Sequence, residues 1–188
     1  MKKILLVAAM ALVSTLGFAQ GKFAHVNFSE LVQLMPEADE ARATMTASSN
    51  EAQETYQAMV EEFQTKYSQY QQKASTWTQT IRESKEKELS DMQQRISEFE
   101  QSIQQELSAQ QQQLMAPIYQ KATETVEKLA KEGGYIYVFE TSSVLYVDAK
   151  QSVDLTPAAR KALNIPDSRT LESLQAELQA AAEAAQQQ

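Results

Sequence analysis

The 188-residue sequence contains no cysteine and only one histidine, His25. The absence of cysteine excludes disulfides, thiolate nucleophiles and cysteine-ligated zinc. With a single histidine we expect neither a His-based triad nor a multi-histidine metal site, and we interpret His25 as an ordinary strand residue. The sequence also lacks a glycine-rich phosphate loop, which argues against ATP use. We therefore predict that the chain is not an enzyme and needs no cofactor or metal.

Long hydrophobic runs are almost absent. The one exception, Ile4–Phe18, follows Lys2 and Lys3 and ends in the small residues of Gly17-Phe18-Ala19, which is typical of an export signal. It is too short to span ~30 Å of hydrocarbon comfortably. The sequence thus predicts a leader over residues 1–19, cleaved near Ala19, and an exported mature chain without a membrane-spanning helix.

Basic residues are outnumbered, 17 against 25 acidic residues, for a net charge of −8. Such a balance repels polyanions over most of a surface. We therefore expect no nucleic-acid partner and no strong direct binding to anionic membranes.

Most of the chain is a Gln-, Glu-, Ala- and Ser-rich stretch, Glu37–Glu132, and no glycine occurs between Gly21 and Gly133. Its apolar residues recur in steps of three and four, as in an amphipathic helix. They include Tyr56, Met59, Phe63, Tyr67 and Tyr70 in the first half, and Ile96, Phe99, Ile103, Leu107 and Leu114 in the second. A lone helix cannot bury such a narrow stripe, so we predict an antiparallel helical hairpin over residues 36–132. Ser75–Thr80 is the favoured turn, and one uninterrupted helix of ~140 Å is the alternative.

Three segments flanking this stretch have strand-like sequences: Phe23–Phe28, Tyr135–Glu140 and Val144–Val147, the last two joined as a hairpin through Thr141-Ser142-Ser143. Three short strands cannot provide a core of their own. The sequence therefore predicts a β body from residues 20–35 and 133–165 that oligomerises, strands of several subunits closing a shared barrel. Residues 166–188 are predicted to be a helical tail. The predicted oligomerisation residues are Ala24, Val26, Phe28, Ile136, Val138, Leu145 and Val147.

A few apolar residues near the predicted turn lie off the periodic stripe or at its end. Val60, Trp77 and Ile81 are candidates for adaptable contacts with unfolded chains. For Trp77 the alternative is an anchor that packs the hairpin tip. The stripe itself is interpreted as the core of the hairpin.

Three segments resemble a known family. Lys22–Leu31 (KFAHVNFSEL) is similar to the opening of the mature Skp (OmpH-like) periplasmic chaperones, Tyr137–Tyr146 resembles their β-hairpin, and Val153–Ala158 resembles their closing segment. The resemblance covers about Lys22 to Ile165. It implies a homotrimer with a β-barrel body and helical tentacles, acting in the periplasm as an ATP-independent holdase for unfolded outer-membrane β-barrel proteins. The well-known members are strongly basic, so contacts with lipopolysaccharide are not carried over to this acidic chain.

The predicted fold class is therefore α+β and mostly α, with a long antiparallel helical hairpin projecting from a small β body that oligomerises as a trimeric barrel. The alternative function is a non-catalytic coiled-coil structural or adaptor protein of the cell envelope. Such a protein would show defined partner-binding patches and no activity toward unfolded chains.

Overall fold

The structure, a computed structural model, describes residues 21–185, so the predicted leader lies outside the described residues. The fold is mostly helical with one small sheet, as the sequence predicts. Its strands are β1 (Lys22–Val26), β2 (Tyr135–Glu140) and β3 (Ser152–Asp154). Its helices are α1 (Phe28–Leu34), α2 (Pro36–Lys73), α3 (Gln79–Gly133), α4 (Thr156–Ala162) and α5 (Leu171–Ala185). Within these described residues, no helix combines the length and apolarity needed to cross a bilayer.

The described chain forms two compact units. The body unit comprises the residues up to Pro36 and those from Tyr119 onward, and the hairpin unit comprises Glu37–Ile118. Both long helices continue from one unit into the other, because α2 begins at Pro36 and α3 ends at Gly133.

The sheet of the body unit is parallel, in the order β2-β1-β3. The central strand β1 pairs Ala24 with Val138 of β2 and with Val153 of β3. Parallel neighbours require crossover connections. The α2–α3 hairpin provides the first crossover, and residues 141–151 provide the second.

The predicted strand Val144–Val147, and with it the predicted β-hairpin, is wrong. Thr141–Ser143 forms a 3₁₀ turn, and the second neighbour of β1 is Ser152–Asp154. The anchors of β3 explain this choice. The Leu155 amide donates to the His25 carbonyl at 2.9 Å, and the Asn27 amide donates to Thr156 Oγ1 at 2.9 Å. β2 and β3 occupy both sides of β1, and Val144–Val147 lines a cleft with Phe23 and Phe139 instead of pairing with the outer edge of β2.

The first strand ends earlier than predicted, because Phe28 is the first residue of α1. Asn27 caps that helix. Its Oδ1 accepts the Glu30 amide at 3.1 Å, while its Nδ2 donates to Glu30 Oε2 at 3.0 Å. This reciprocal pair satisfies one of the free amides at the helix start.

The hairpin turn lies where the sequence predicts it, so the uninterrupted helix is excluded. α2 ends at Lys73, Ala74–Thr76 form a 3₁₀ turn, and α3 begins at Gln79. Thr78 precedes the new helix, and its Oγ1 accepts the Ile81 amide at 3.4 Å. At the far end of α3, Gly134 adopts φ +68, a left-handed conformation that stops a helix and favours glycine.

The core of the body unit gathers around α1. Leu31, Leu34, Met35 and Leu163 are the largest fully buried side chains, and α1 packs against both α4 and α5. α5 contributes the buried Leu174. The predicted tail thus adds to the packed interior of the body unit.

Candidate binding surfaces

Two grooves run along the hairpin unit on a shared apolar floor. One is about 560 Å³ and the other about 440 Å³. Ala52 of α2 and Phe99, Ile103 and Leu107 of α3 line both. The rims are polar, and Gln110 Nε2 of α3 bridges to Ser48 Oγ of α2 at 3.0 Å.

These grooves differ from the filled seam that the sequence predicts between the helices. Phe99, Ile103 and Leu107 lie opposite the small Ala52 of α2. A small residue opposite large ones leaves the large side chains half-covered. The signal in the sequence is the run Ala47-Ser48-Ser49 followed by Ala52, which places small side chains along a stripe that is elsewhere aromatic.

Toward the tip the helices pack more closely. Met92 is buried, and Phe63 stacks on Tyr67 with ring centroids 5.9 Å apart. Tyr67 nevertheless remains 46% exposed. The stripe is therefore a partial core that leaves aromatic surface in contact with solvent.

The three candidate client contacts lie in different environments. Ile81 is 45% exposed, Val60 is half-buried, and Trp77 is half-buried against Tyr70 with ring centroids 6.0 Å apart. The packing of Trp77 favours its interpretation as an anchor of the tip. Ile81 is the candidate with the most surface free to meet an unfolded chain.

An ionic clasp joins the two helices behind the tip. The Lys66 ammonium on α2 donates to the Glu88 carboxylate on α3, which Lys85 also contacts at 2.7 Å. Hydrogen bonds from Lys66 and then from Lys85 lower the pKa of Glu88 to about 2. Nearby, the Tyr70 hydroxyl donates to the Glu86 carboxylate, and this bond raises the pKa of Tyr70.

The clasp predicts an acid transition at the tip. A carboxyl whose folded pKa is depressed stabilises the fold above its unfolded value of 4.5, and that contribution is lost as the pH falls through about 2. We expect the emission of Trp77, the only tryptophan, to shift to the red over this interval. Glu88→Gln should largely remove the shift, whereas Glu98→Gln, farther along α3, should leave it. An unchanged transition in Glu88→Gln would contradict the role of the clasp.

The predicted oligomerisation residues divide into buried and exposed sets. Ala24 and Val26 are 0% and 4% exposed within the subunit, so both pack mainly inside it, although Val26 also lines a groove of the body unit. Ile136 is 57% exposed and Leu145 is fully exposed. The remaining members, Phe28, Val138 and Val147, are half-buried.

The face of the sheet opposite to Ala24 and Val26 carries an exposed aromatic cluster. Phe23 stacks on Tyr137 and Phe139, with ring centroids 6.3 and 6.4 Å away. His25 shares this face, and its Nδ1 lies 2.9 Å from Ser152 Oγ, as expected of an ordinary strand residue. We call Phe23, Tyr137 and Phe139 the aromatic face.

A third groove, the body groove, lies in the body unit and measures about 570 Å³. Its apolar walls are formed by Val26, Phe28, Tyr119, Val126, Ala130 and Val138. Phe28 and Tyr119 stack across it with ring centroids 6.3 Å apart. Glu140 at its rim accepts the Phe28 amide at 2.7 Å.

The described residues contain no cluster of three or more His, Cys, Asp or Glu side chains able to hold a metal ion. The candidate site is thus a set of shallow apolar surfaces with polar rims. Such surfaces can hold chain segments by contact.

Comparisons with known proteins agree with this architecture. The family model "Outer membrane protein (OmpH-like)" matches residues 22–163. The fold is similar to the crystal structure of a candidate outer membrane chaperone (OmpH-like) from Caulobacter crescentus CB15, with a TM-score of 0.69 and 15% sequence identity over 79% of this chain and 86% of that chain. A search of curated proteins finds no significant match.

Proposed function

This chain belongs to the OmpH-like family of outer membrane proteins, and we propose that it acts as an ATP-independent holdase chaperone in the periplasm. Its clients are unfolded outer-membrane β-barrel proteins, and it works as a homo-oligomer, a trimer by the family resemblance. The export signal predicted over residues 1–19 supports the location. The structural neighbour, itself a candidate outer membrane chaperone, supports the activity.

The observation that carries the proposal is the surface of the hairpin unit. Two grooves share an apolar floor under polar rims. An unfolded client presents many weak apolar segments, and several shallow sites can hold it through avidity without one tight pocket. Release then requires no nucleotide, provided that folding of the client in the membrane is more favourable than remaining bound.

The test is suppression of aggregation. When an unfolded β-barrel protein is diluted from urea, its light scattering should rise more slowly if a slight excess of the present protein is added. A folded soluble protein that does not aggregate should show no binding in the same buffer. Unchanged aggregation would reject the holdase, and would favour the alternative of a coiled-coil structural protein of the envelope.

The client contacts predict a graded effect. Ile81→Asp removes exposed apolar surface at the tip and should weaken client binding about 2–5-fold, because one of many weak contacts is lost. Ser84→Asp is the matched control, since it adds the same charge on the same helix and removes no apolar side chain. Titration of a fluorescently labelled client measures both variants. Equal weakening by both would attribute the effect to charge and would exclude Ile81 as a contact.

A further inference from the structure

The inference concerns Val144–Val147, which has a strand-like sequence but no strand partner beside β1. The backbone at Val144 is extended, with φ −118 and ψ 139. Val144, Tyr146 and Val147 line a cleft with Phe23 and Phe139 of the aromatic face. Leu145 does not line this cleft and has 108% of its reference area exposed, while Tyr146 is 81% exposed. The segment is thus held extended over the sheet with an apolar side chain directed outward.

The body groove is the complementary feature. Its volume of about 570 Å³ is within the ~300–1,000 Å³ of sites that hold ligands. Its walls are aliphatic and aromatic side chains, which suits an apolar group. Ser142 contributes to its lining, yet Leu145, only three residues later, is fully exposed and does not enter it.

We propose that Leu145 of one copy inserts into the body groove of the next copy. This inference rests on the self-association included in the proposed function, and it assigns the two surfaces that meet. The protruding side chain and the groove are different surfaces of the same chain, so the contact is heterologous. Repetition of such a contact closes a ring when the rotation between copies divides a full turn.

A second copy fits better than a client as the occupant. Each chain carries one protruding leucine and one groove, which gives matched numbers in any ring. The rim bears the carboxylates of Glu127 and Glu140, and residues 141–151 carry one acidic and one basic side chain, Asp148 and Lys150, so the neutral segment meets no net repulsion there.

The area argument points the same way. A stable interface needs roughly 800 Å² from each partner, more than one leucine provides. Phe23, Tyr137 and Phe139 are 39%, 60% and 43% exposed on the same unit, so each can still bury roughly half of the about 150–250 Å² of an aromatic side chain. The aromatic face and Tyr146, which is 81% exposed beside Leu145, therefore supply area that the leucine lacks.

The first test is the mass in solution. Leu145→Asp places a charge in the groove of the neighbour and should reduce the oligomer to monomers at micromolar concentration, with unchanged circular dichroism because the side chain is solvent-exposed. Leu178→Asp, at a leucine 49% exposed on α5, is the matched control and should keep the oligomer. The proposal is overturned if the Leu145→Asp variant has the same oligomer mass as the wild type, or if the wild-type protein is itself monomeric.

The second test fixes the pairing and does not depend on a disruptive substitution. The chain has no cysteine, so Leu145→Cys and Ala130→Cys introduce the only thiols. Mixing the two single-substitution proteins should form a disulfide between positions 145 and 130, and the double variant should give a covalent ring under oxidation. Dimers formed as readily by Leu145→Cys alone would indicate an isologous contact and overturn the proposal.

The aggregation assay separates this inference from the proposed function. If the wild-type oligomer protects the client but the Leu145→Cys and Ala130→Cys variants do not cross-link to each other, the interface is refuted and the holdase remains. Correct cross-linking without client protection refutes the holdase and leaves the interface. A single-cysteine client segment that cross-links to the Ala130→Cys variant, while the Leu145→Cys variant does not, identifies the groove as a client site and overturns the inference.

Discussion

Leu31→Ala should lower the free energy of unfolding of the body unit by about 2–5 kcal/mol, the range for a fully buried leucine. Leu31 is 0% exposed and belongs to α1, the helix that packs against α4 and α5. Typical domains are stable by only ~5–15 kcal/mol, so a large share of the stability is removed. Urea denaturation followed by circular dichroism, at one fixed protein concentration, measures the loss. Amide exchange in α1 assigns it to the body unit.

Leu178→Ala is the control for that experiment, because the same atoms are deleted from a leucine that is half exposed. Its effect should stay within about 0.5 kcal/mol. A comparable loss in both variants would mean that α1 is not the centre of the core.

Arg160→Ala should destabilise the body unit by about 2–4 kcal/mol, since Glu30 Oε1 and the Arg169 carbonyl lose their donor, while Glu30 Oε2 keeps Asn27 and the Pro166 carbonyl keeps the Arg169 amide. The Arg160 guanidinium, only 14% exposed, donates to Glu30 Oε1 at 2.6 Å and to the carbonyls of Pro166 and Arg169 at 2.9 and 2.5 Å. It therefore joins α1 to the segment that leads into α5. We expect faster proteolysis between Pro166 and Thr170 and faster amide exchange in α5.

Two controls separate charge from geometry at this position. Arg160→Lys keeps the charge but cannot form the planar fork, so it should lose an intermediate amount. Arg82→Ala removes an exposed arginine at the tip and should change little. Equal stability of Arg160→Ala and Arg82→Ala would exclude the bridge.

The hairpin was predictable because its determinants are local. Periodic apolar residues define the two helices, and the residues at Ser75–Thr80 weaken helix enough to mark the turn. Strands β1 and β2 were likewise predicted from their alternation, with β1 ending two residues early because the cap at Asn27 takes precedence over the strand propensity of Phe28.

The errors arise from tertiary competition. Val144–Val147 has a stronger strand propensity than Ser152–Asp154, yet Leu155 and Thr156 anchor the latter beside β1. Alternation also defines two faces of a strand without indicating which one is covered. The small side chains of Ala24 and Val26 pack inside the subunit, while the larger Phe23 stays exposed. Strand propensity depends on such context more than helix propensity does.

The parallel pairing of β1 with β2 has a consequence for the order of folding. The middle strand is the first of the three to be synthesised, and both of its neighbours follow more than a hundred residues later. Contacts so distant in sequence are slow to form, because chain entropy must be lost before they stabilise anything. Packing of α2 against α3 shortens the effective loop between β1 and β2. We therefore expect the helices near the turn to fold first and the sheet to form last. Until β3 has been made, the central strand of the nascent chain therefore lacks one of its two neighbours.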